Sequence, residues 1–433
     1  MKREGLMRSL KFSELDPSFF SVHEVSDMEI VRQIVSGVKN RGDKALIEYT
    51  RKFDGVDIES FKVPPQEILH ARETTDRELV ECLEIAASRI EKFAQKQFER
   101  LGNFEIEMER GIIIGQKIIP VERVGVYVPG GRYPLLSSVL MGAIPAGVAG
   151  VKEVALFSPP SENGEVASGI LAAAAVAGVG EVYRIGGAQA VAAMAYGTQS
   201  VKPVHKIVGP GNVYVNAAKK LVYGRVGIDF IAGPTEILII ADGSANPSYV
   251  AADLIAQAEH DDKARPLLLT NSEMFADDVM KEMEVQLKAL KSEETARRSL
   301  QNNGVVIVFD HAEEAVDIAN RRAPEHLQLC VRNPEDILPG LRNYGSLFVG
   351  EYASETLGDY SSGLNHILPT NGAAQYTGGL SVKDFVKIQT FLKVDRRGFR
   401  EIGPVAASIA RAEGLFGHEA AIRIRLDHLT ELE

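Results

Sequence analysis

The feature that most constrains the fold is a repeated change of hydrophobic period. Short β-rich runs at 154–157, 182–185 and 206–208 alternate with Ala/Gly-rich helical stretches at 137–148, 164–177 and 188–196. Strand, crossover helix and strand make the unit of a parallel sheet covered on both faces. The rhythm resumes at 237–240, with a helix from Pro247 to about Glu259, a strand at 266–269 and a charged helix from Ser272. A strand at 305–308 and a helix at 313–320 complete it. The expected class is α/β with two such domains, one inserted between segments of the other.

The flanks read differently. Apolar residues recur at helical spacing through 26–55 (Ile30, Ile34, Val38, Ala45, Tyr49), and 66–101 reads as a longer helical region with charged faces. Residues 104–128 change to short β-rich runs, with Arg110-Gly111 as a modest turn signal. Near the C-terminus, 385–388 is strand-like, and 401–413 and 418–429 are helical. The borders expected are an N-terminal arm at 1–25, a first domain from 26–126 with 235–380, an inserted domain at 127–234, and a C-terminal appendage at 381–433.

Composition narrows the function classes. With 433 residues and 45% hydrophobic content, the chain can bury more than one core. Its 48 Lys+Arg against 59 Asp+Glu, a net charge of -11, argues against nucleic acid and anionic membrane as partners. Two cysteines, Cys82 and Cys330, are too few for a disulfide framework and point to the reducing cytoplasm. The N-terminus lacks the apolar run of a signal peptide, and the apolar stretch at 139–151 is too short to span a bilayer.

Three glycine turns carry the first chemical signal: Pro129-Gly130-Gly131, Gly186-Gly187 and Gly209-Pro210-Gly211-Asn212, each following a strand and opening a helix. Glycine permits positive φ and close approach, and a helix N-terminus offers free N–H groups to an anion. None matches G-x-G-x-x-G, and a tight βα turn without a ligand explains any one of them.

The second signal is Arg321-Arg322-Ala323-Pro324-Glu325-His326, an acid beside an imidazole where a strand begins. Pro324 is expected to hold Ala323 extended. A carboxylate and an imidazole sharing one pocket divide acid and base work near neutral pH. Gln257 and His260, three apart at a helix end, can meet one ion. With Asp359 and His418 they form a candidate mixed oxygen and nitrogen set suited to zinc, although glutamine is an uncommon ligand. Cys330 sits in an apolar setting and reads as a buried, unreactive thiol.

The segments VGVYVPGGRYP (124–134), GGAQA (186–190), VGPGNVYV (208–215), AGPTE (232–236), AQAEHD (256–261), APEHLQL (323–329), 358–370 and EGLFGH (413–418) run in the order of histidinol dehydrogenase. The chain resembles that family over nearly its full length. The resemblance implies two incomplete Rossmann-like domains similar to aldehyde dehydrogenases, and a swapped homodimer. It implies oxidation of L-histidinol through L-histidinal to L-histidine, the end of histidine biosynthesis, with two NAD+ and a bound zinc. By motif match, zinc falls to Gln257, His260 and Asp359 of one subunit and His418 of the other, with Glu325 and His326 as the acid–base pair. Thr235 and Glu413 join the substrate contacts, and Tyr127, Gln189 and Asn212 the NAD contacts. Thr235 stands where many relatives carry serine. A zinc hydrolase and a non-catalytic amino-acid-binding protein are the alternatives in other classes.

Overall fold

The structure is a computed structural model that describes residues 5–21, 28–130 and 134–431. Gly131 of the first glycine turn, Ser26, and residues 1–4 and 22–25 of the expected N-terminal arm lie outside the described residues. The chain opens with β1 (Arg8–Lys11) and four helices, α1 (Glu29–Arg41), α2 (Asp43–Asp54), α3 (Pro65–Thr74) and α4 (Arg77–Phe98). A hairpin of β2 (Phe104–Glu109) and β3 (Ile112–Pro120) leads into β4 (Arg123–Tyr127). Alternation follows: α5 (Leu136–Val148), β5 (Glu153–Ser158), α6 (Ser168–Val176), β6 (Glu181–Arg184), α7 (Gly187–Tyr196), β7 (Lys206–Val208), α8 (Val213–Val222) and β8 (Gly227–Ile228).

The second run is β9 (Glu236–Ala241), α9 (Pro247–Ala258), β10 (Arg265–Thr270), α10 (Glu273–Leu287), α11 (Glu293–Asn303) and β11 (Val305–Val308). It continues through α12 (Ala312–Arg322), β12 (His326–Cys330), β13 (Ser346–Val349) and the short α13 (Glu355–Tyr360). The chain closes with β14 (Val386–Val394), α14 (Arg396–Ala412) and α15 (Phe416–Glu431).

These strands form two parallel sheets, as the alternation predicts. One has six strands in the order β1-β11-β10-β9-β12-β13, the other five in the order β6-β5-β4-β7-β8. Side chains alternate across each sheet. Ile237 and Ile239 face the core under α9, α10 and α11, while Leu238 and Ile240 face the core under α12. The strand-like 385–388 extends to a nine-residue β14 that pairs antiparallel with β3, in a separate sheet ordered β14-β3-β2.

The helical stretches expected in the flanks are present, and each resolves into two helices. The helical spacing over 26–55 belongs to two helices, because Gly42 takes φ 57 ψ -133 between them. The region 66–101 is likewise α3 and α4, divided at Asp76, which caps α4 by accepting from Leu79 N–H at 3.1 Å. The grouping of 26–126 with 235–380 changes. Val31, Ile34, Val38, Ala45 and Leu46 of α1 and α2 pack on the five-stranded sheet, under Ala155, Phe157 and Ile207. Helices α3 and α4 cover its other face, with Val124, Val126 and Leu156. β4 belongs to that same sheet, so the border placed at 126 cuts through a central strand. An amphipathic helix shows that it has an apolar face but not which sheet receives it.

Candidate active site

The glycine turns follow β4, β6 and β7, so they sit together at the carboxyl edge of the five-stranded sheet. Thr235 and Glu325 precede β9 and β12, and α9 ends at Ala258, so these lie at the amino edge of the six-stranded sheet. A cleft of about 580 Å³ lies between the two edges. Tyr127, Gly130, Gly187, Gln189 and Asn212 line it from one side and His260 and Asp261 from the other. Asn212 caps α8, its side-chain oxygen accepting from Tyr214 and Val215 N–H at 3.0 and 3.1 Å.

Glu325 and His326 do share one pocket, though the backbone brings them there differently from expectation. Ala323 is left-handed, at φ 47 ψ 62, and ends α12. Proline disfavours only the right-handed helical region for its predecessor, and the helix end selects the left-handed cap over the extended form. The Glu325 carboxylate accepts from the Thr235 hydroxyl at 2.5 Å and from Glu236 N–H at 3.0 Å. Gln257 Nε2 donates to Thr235 Oγ1 at 2.7 Å, and its Oε1 accepts from His326 Nδ1–H at 3.0 Å. With Nδ1–H held in this way, His326 presents Nε2, which lies 3.6 Å from Asp359 Oδ1.

Electrostatics follow from burial. Burial pushes the Glu325 carboxyl up to about 7, even with His326 beside it. Burial pulls His326 down, but Glu325, Asp359 and Glu355 outweigh it and carry the imidazole up to about 10. Burial likewise drives Glu355 upward, whereas Asp359 is held low by His326 despite its own burial. Cys330 ends the same strand, about 13 Å from His326 at a strand rise of about 3.3 Å per residue. Burial pushes its thiol up to about 11.

Among the described residues, ligand atoms of His260, Glu355 and Asp359 lie within 4.8 Å of one another. Glu355 was not singled out in the sequence; with α13 a helix, it stands four residues before Asp359 on one face. Its Oε2 and His326 Nε2 are both buried without a hydrogen-bond partner. Two orphaned polar atoms, on Glu355 and His326, beside the Asp359 carboxylate and the His260 imidazole fit a bound divalent cation. Glu413 and His418 are exposed on the α14–α15 hairpin and are not part of this group. His366 braces Asp359 instead, its Nδ1 lying 2.9 Å from the Asp359 carbonyl and its Nε2 3.1 Å from Ser138 Oγ.

Residues 21–426 match the family model described as histidinol dehydrogenase. The histidinol dehydrogenase of Aquifex aeolicus is 47% identical over 397 residues, 91% of each chain. That of Methanocaldococcus jannaschii is 44% identical over 396 residues, 92% of each chain. The crystal structure of histidinol dehydrogenase from Elizabethkingia anophelis superposes with a TM-score of 0.92 at 39% identity, covering 98% of this chain and 99% of that one. Sheet, pocket and matches together define an oxidoreductase of the dehydrogenase kind. The chain belongs to the histidinol dehydrogenase family and has its fold.

Proposed function

We propose that this protein oxidises L-histidinol to L-histidine through L-histidinal with two NAD+, as the last steps of histidine biosynthesis, in the cytoplasm. The observation that carries the reading is the linked set Glu325–Thr235–Gln257–His326–Asp359, opening beside a cleft lined by Tyr127, Gln189 and Asn212. NAD+, when bound, supplies the hydride acceptor. Zinc, when bound by Gln257, His260 and Asp359 with His418 of a second copy, supplies a fixed positive charge that orients the substrate. Glu355 stands close enough to share that charge.

The protein's own groups move the protons. The carboxylates around His326 hold its imidazole above its usual range. With Asp359 and Glu355 neutralised, His326 loses that hold and accepts the hydroxyl proton of the alcohol at Nε2. Glu325, raised toward neutrality by burial, takes a proton from the water that adds to the aldehyde. Thr235 keeps the Glu325 carboxylate aimed, and Gln257 keeps His326 in the tautomer with Nε2 free.

The α14–α15 hairpin supports a homodimer with shared sites. Val405, Ile409, Leu415, Phe416 and Ile424 are exposed on it, Phe416 at 67%, beside Glu413 and His418. Covering such a patch with a second copy would put both side chains at the interface between the copies. The test is histidinol oxidation with NAD+ before chelation, after chelation and after zinc is returned, with metal content measured in parallel. Two NADH per histidine, lost with the metal and regained with it, is the expected result. Product without NADH would replace this reading with hydrolysis.

A further inference from the structure

Asp54 has no part in the chemistry above, and its position is electrostatically unfavourable. It is the last residue of α2, where the helix dipole presents negative charge, and it is half-buried in the cleft wall. Burial alone pushes its carboxyl up to about 6. The described residues lining the cleft include no lysine or arginine to balance it. The nearby Arg51 is paired outward with Asp57. A carboxylate kept in a ligand cleft without a counter-charge points to direct contact with the ligand.

The neighbours of Asp54 say which part of a ligand this is. Gly187 N–H, at the start of α7, already donates to the Tyr127 hydroxyl at 3.1 Å, so that N–H is taken. Gln189 Nε2 lies 3.5 Å from Asp54 Oδ2. The corner therefore offers carboxylate oxygens, an amide and a phenol hydroxyl, a set that pairs with adjacent hydroxyls and repels phosphate. Ile30, Ile34 and Phe53 add an apolar wall suited to a flat base. All of these come from the five-stranded sheet and the helices packed on it, whereas the reacting groups belong to the six-stranded sheet. The adenosine half of a dinucleotide thus falls on the Asp54 side.

We propose that Asp54 binds the adenosine-ribose diol of the dinucleotide and excludes a 2′-phosphate, so that it selects NAD+ over NADP+. This rests on the cofactor reading above. The test measures binding of ADP-ribose and 2′-phospho-ADP-ribose to the full-length protein by calorimetry, and kcat/KM with NAD+ and NADP+, for wild type, Asp54→Asn and Asp54→Glu. Asp54→Asn is expected to lose roughly tenfold or more in affinity for ADP-ribose and to gain for the phosphorylated form, in line with a hydrogen bond to a charged group. Asp54→Glu, which keeps the charge, is expected to go on rejecting the phosphate. Asp54→Ser gives the same readout should the isostere not fold. If wild type binds ADP-ribose and the ratio is unmoved in the variants, the assignment of Asp54 falls alone. If wild type binds neither probe, the cofactor reading falls with it.

Discussion

Glu325 and His326 adjoin in the chain, but what gives each a role is a third group that holds it. Glu325 is an acceptor because Thr235 and Glu236 N–H donate to it, and His326 is oriented because Gln257 holds Nδ1. An amide at 325 keeps the shape and loses the ability to take a proton. Glu325→Gln is therefore expected to slow oxidation of added L-histidinal by about 10²-fold or more beyond its effect on the alcohol step. Stopped-flow NADH traces with each substrate check this, and equal losses in both would remove the water-activating role. Asp54 yields a stability prediction of the opposite kind. Its folded pKa, about 6, lies above the unfolded value of 3.8. Its ionisation therefore opposes folding, a penalty absent below pH 4 and full above pH 6. Asp54→Asn should match wild type near pH 4 and exceed it at pH 8 by about 1 kcal/mol, the shift being discounted for the solvent that still screens this half-buried group. Urea midpoints across that range decide it, and a constant difference would show that the carboxylate is not strained in the fold.

At the scale of elements, the glycine turns were legible because only glycine meets their geometry. Gly209 has φ 117, and a Cβ there would come within 2.1 Å of the Tyr127 carbonyl oxygen. What braces that turn was not legible. Lys219, ten residues on in α8, donates to the Gly209 carbonyl at 2.9 Å and pairs with Asp229, both side chains 1% exposed. Asp229 in turn accepts from Gly209 N–H at 2.8 Å. In the sequence Lys219 is one of two adjacent lysines near a helix end, which reads as solvated surface. Lys219→Met leaves Asp229 buried without its counter-charge and is expected to cost about 3–5 kcal/mol of folding stability. Chemical denaturation measures this, and a loss under about 1 kcal/mol would mean the pair does not brace the turn. Glu355 teaches the same lesson, since its role depends on α13 being a helix, which six residues among turns do not announce.

The whole molecule adds a condition that one copy does not meet. Glu413 and His418 are exposed in the single chain, so the proposed site needs a second copy. Mixing Glu325→Gln chains with His418→Asn chains is expected to restore activity that neither has alone. In a random mixture half the dimers are mixed, and one of their two sites carries both native groups. Recovery should therefore reach about a quarter of wild type. No recovery on mixing under exchange would show that each site is complete within one copy.

The amino-acid order by itself determined the strand and helix alternation, the glycine turns, and the residue types of an acid–base pair beside metal-competent groups. These are local properties, set by side-chain period and by the conformations that glycine and proline allow. Tertiary structure alone decided that α1 to α4 cover the five-stranded sheet, that Glu355 and His366 flank Asp359, and that Asp54 faces the cleft. Those outcomes depend on which apolar faces find each other across hundreds of residues. The energy of burying a face depends on the area removed from water, and the sequence position of the partner does not enter it.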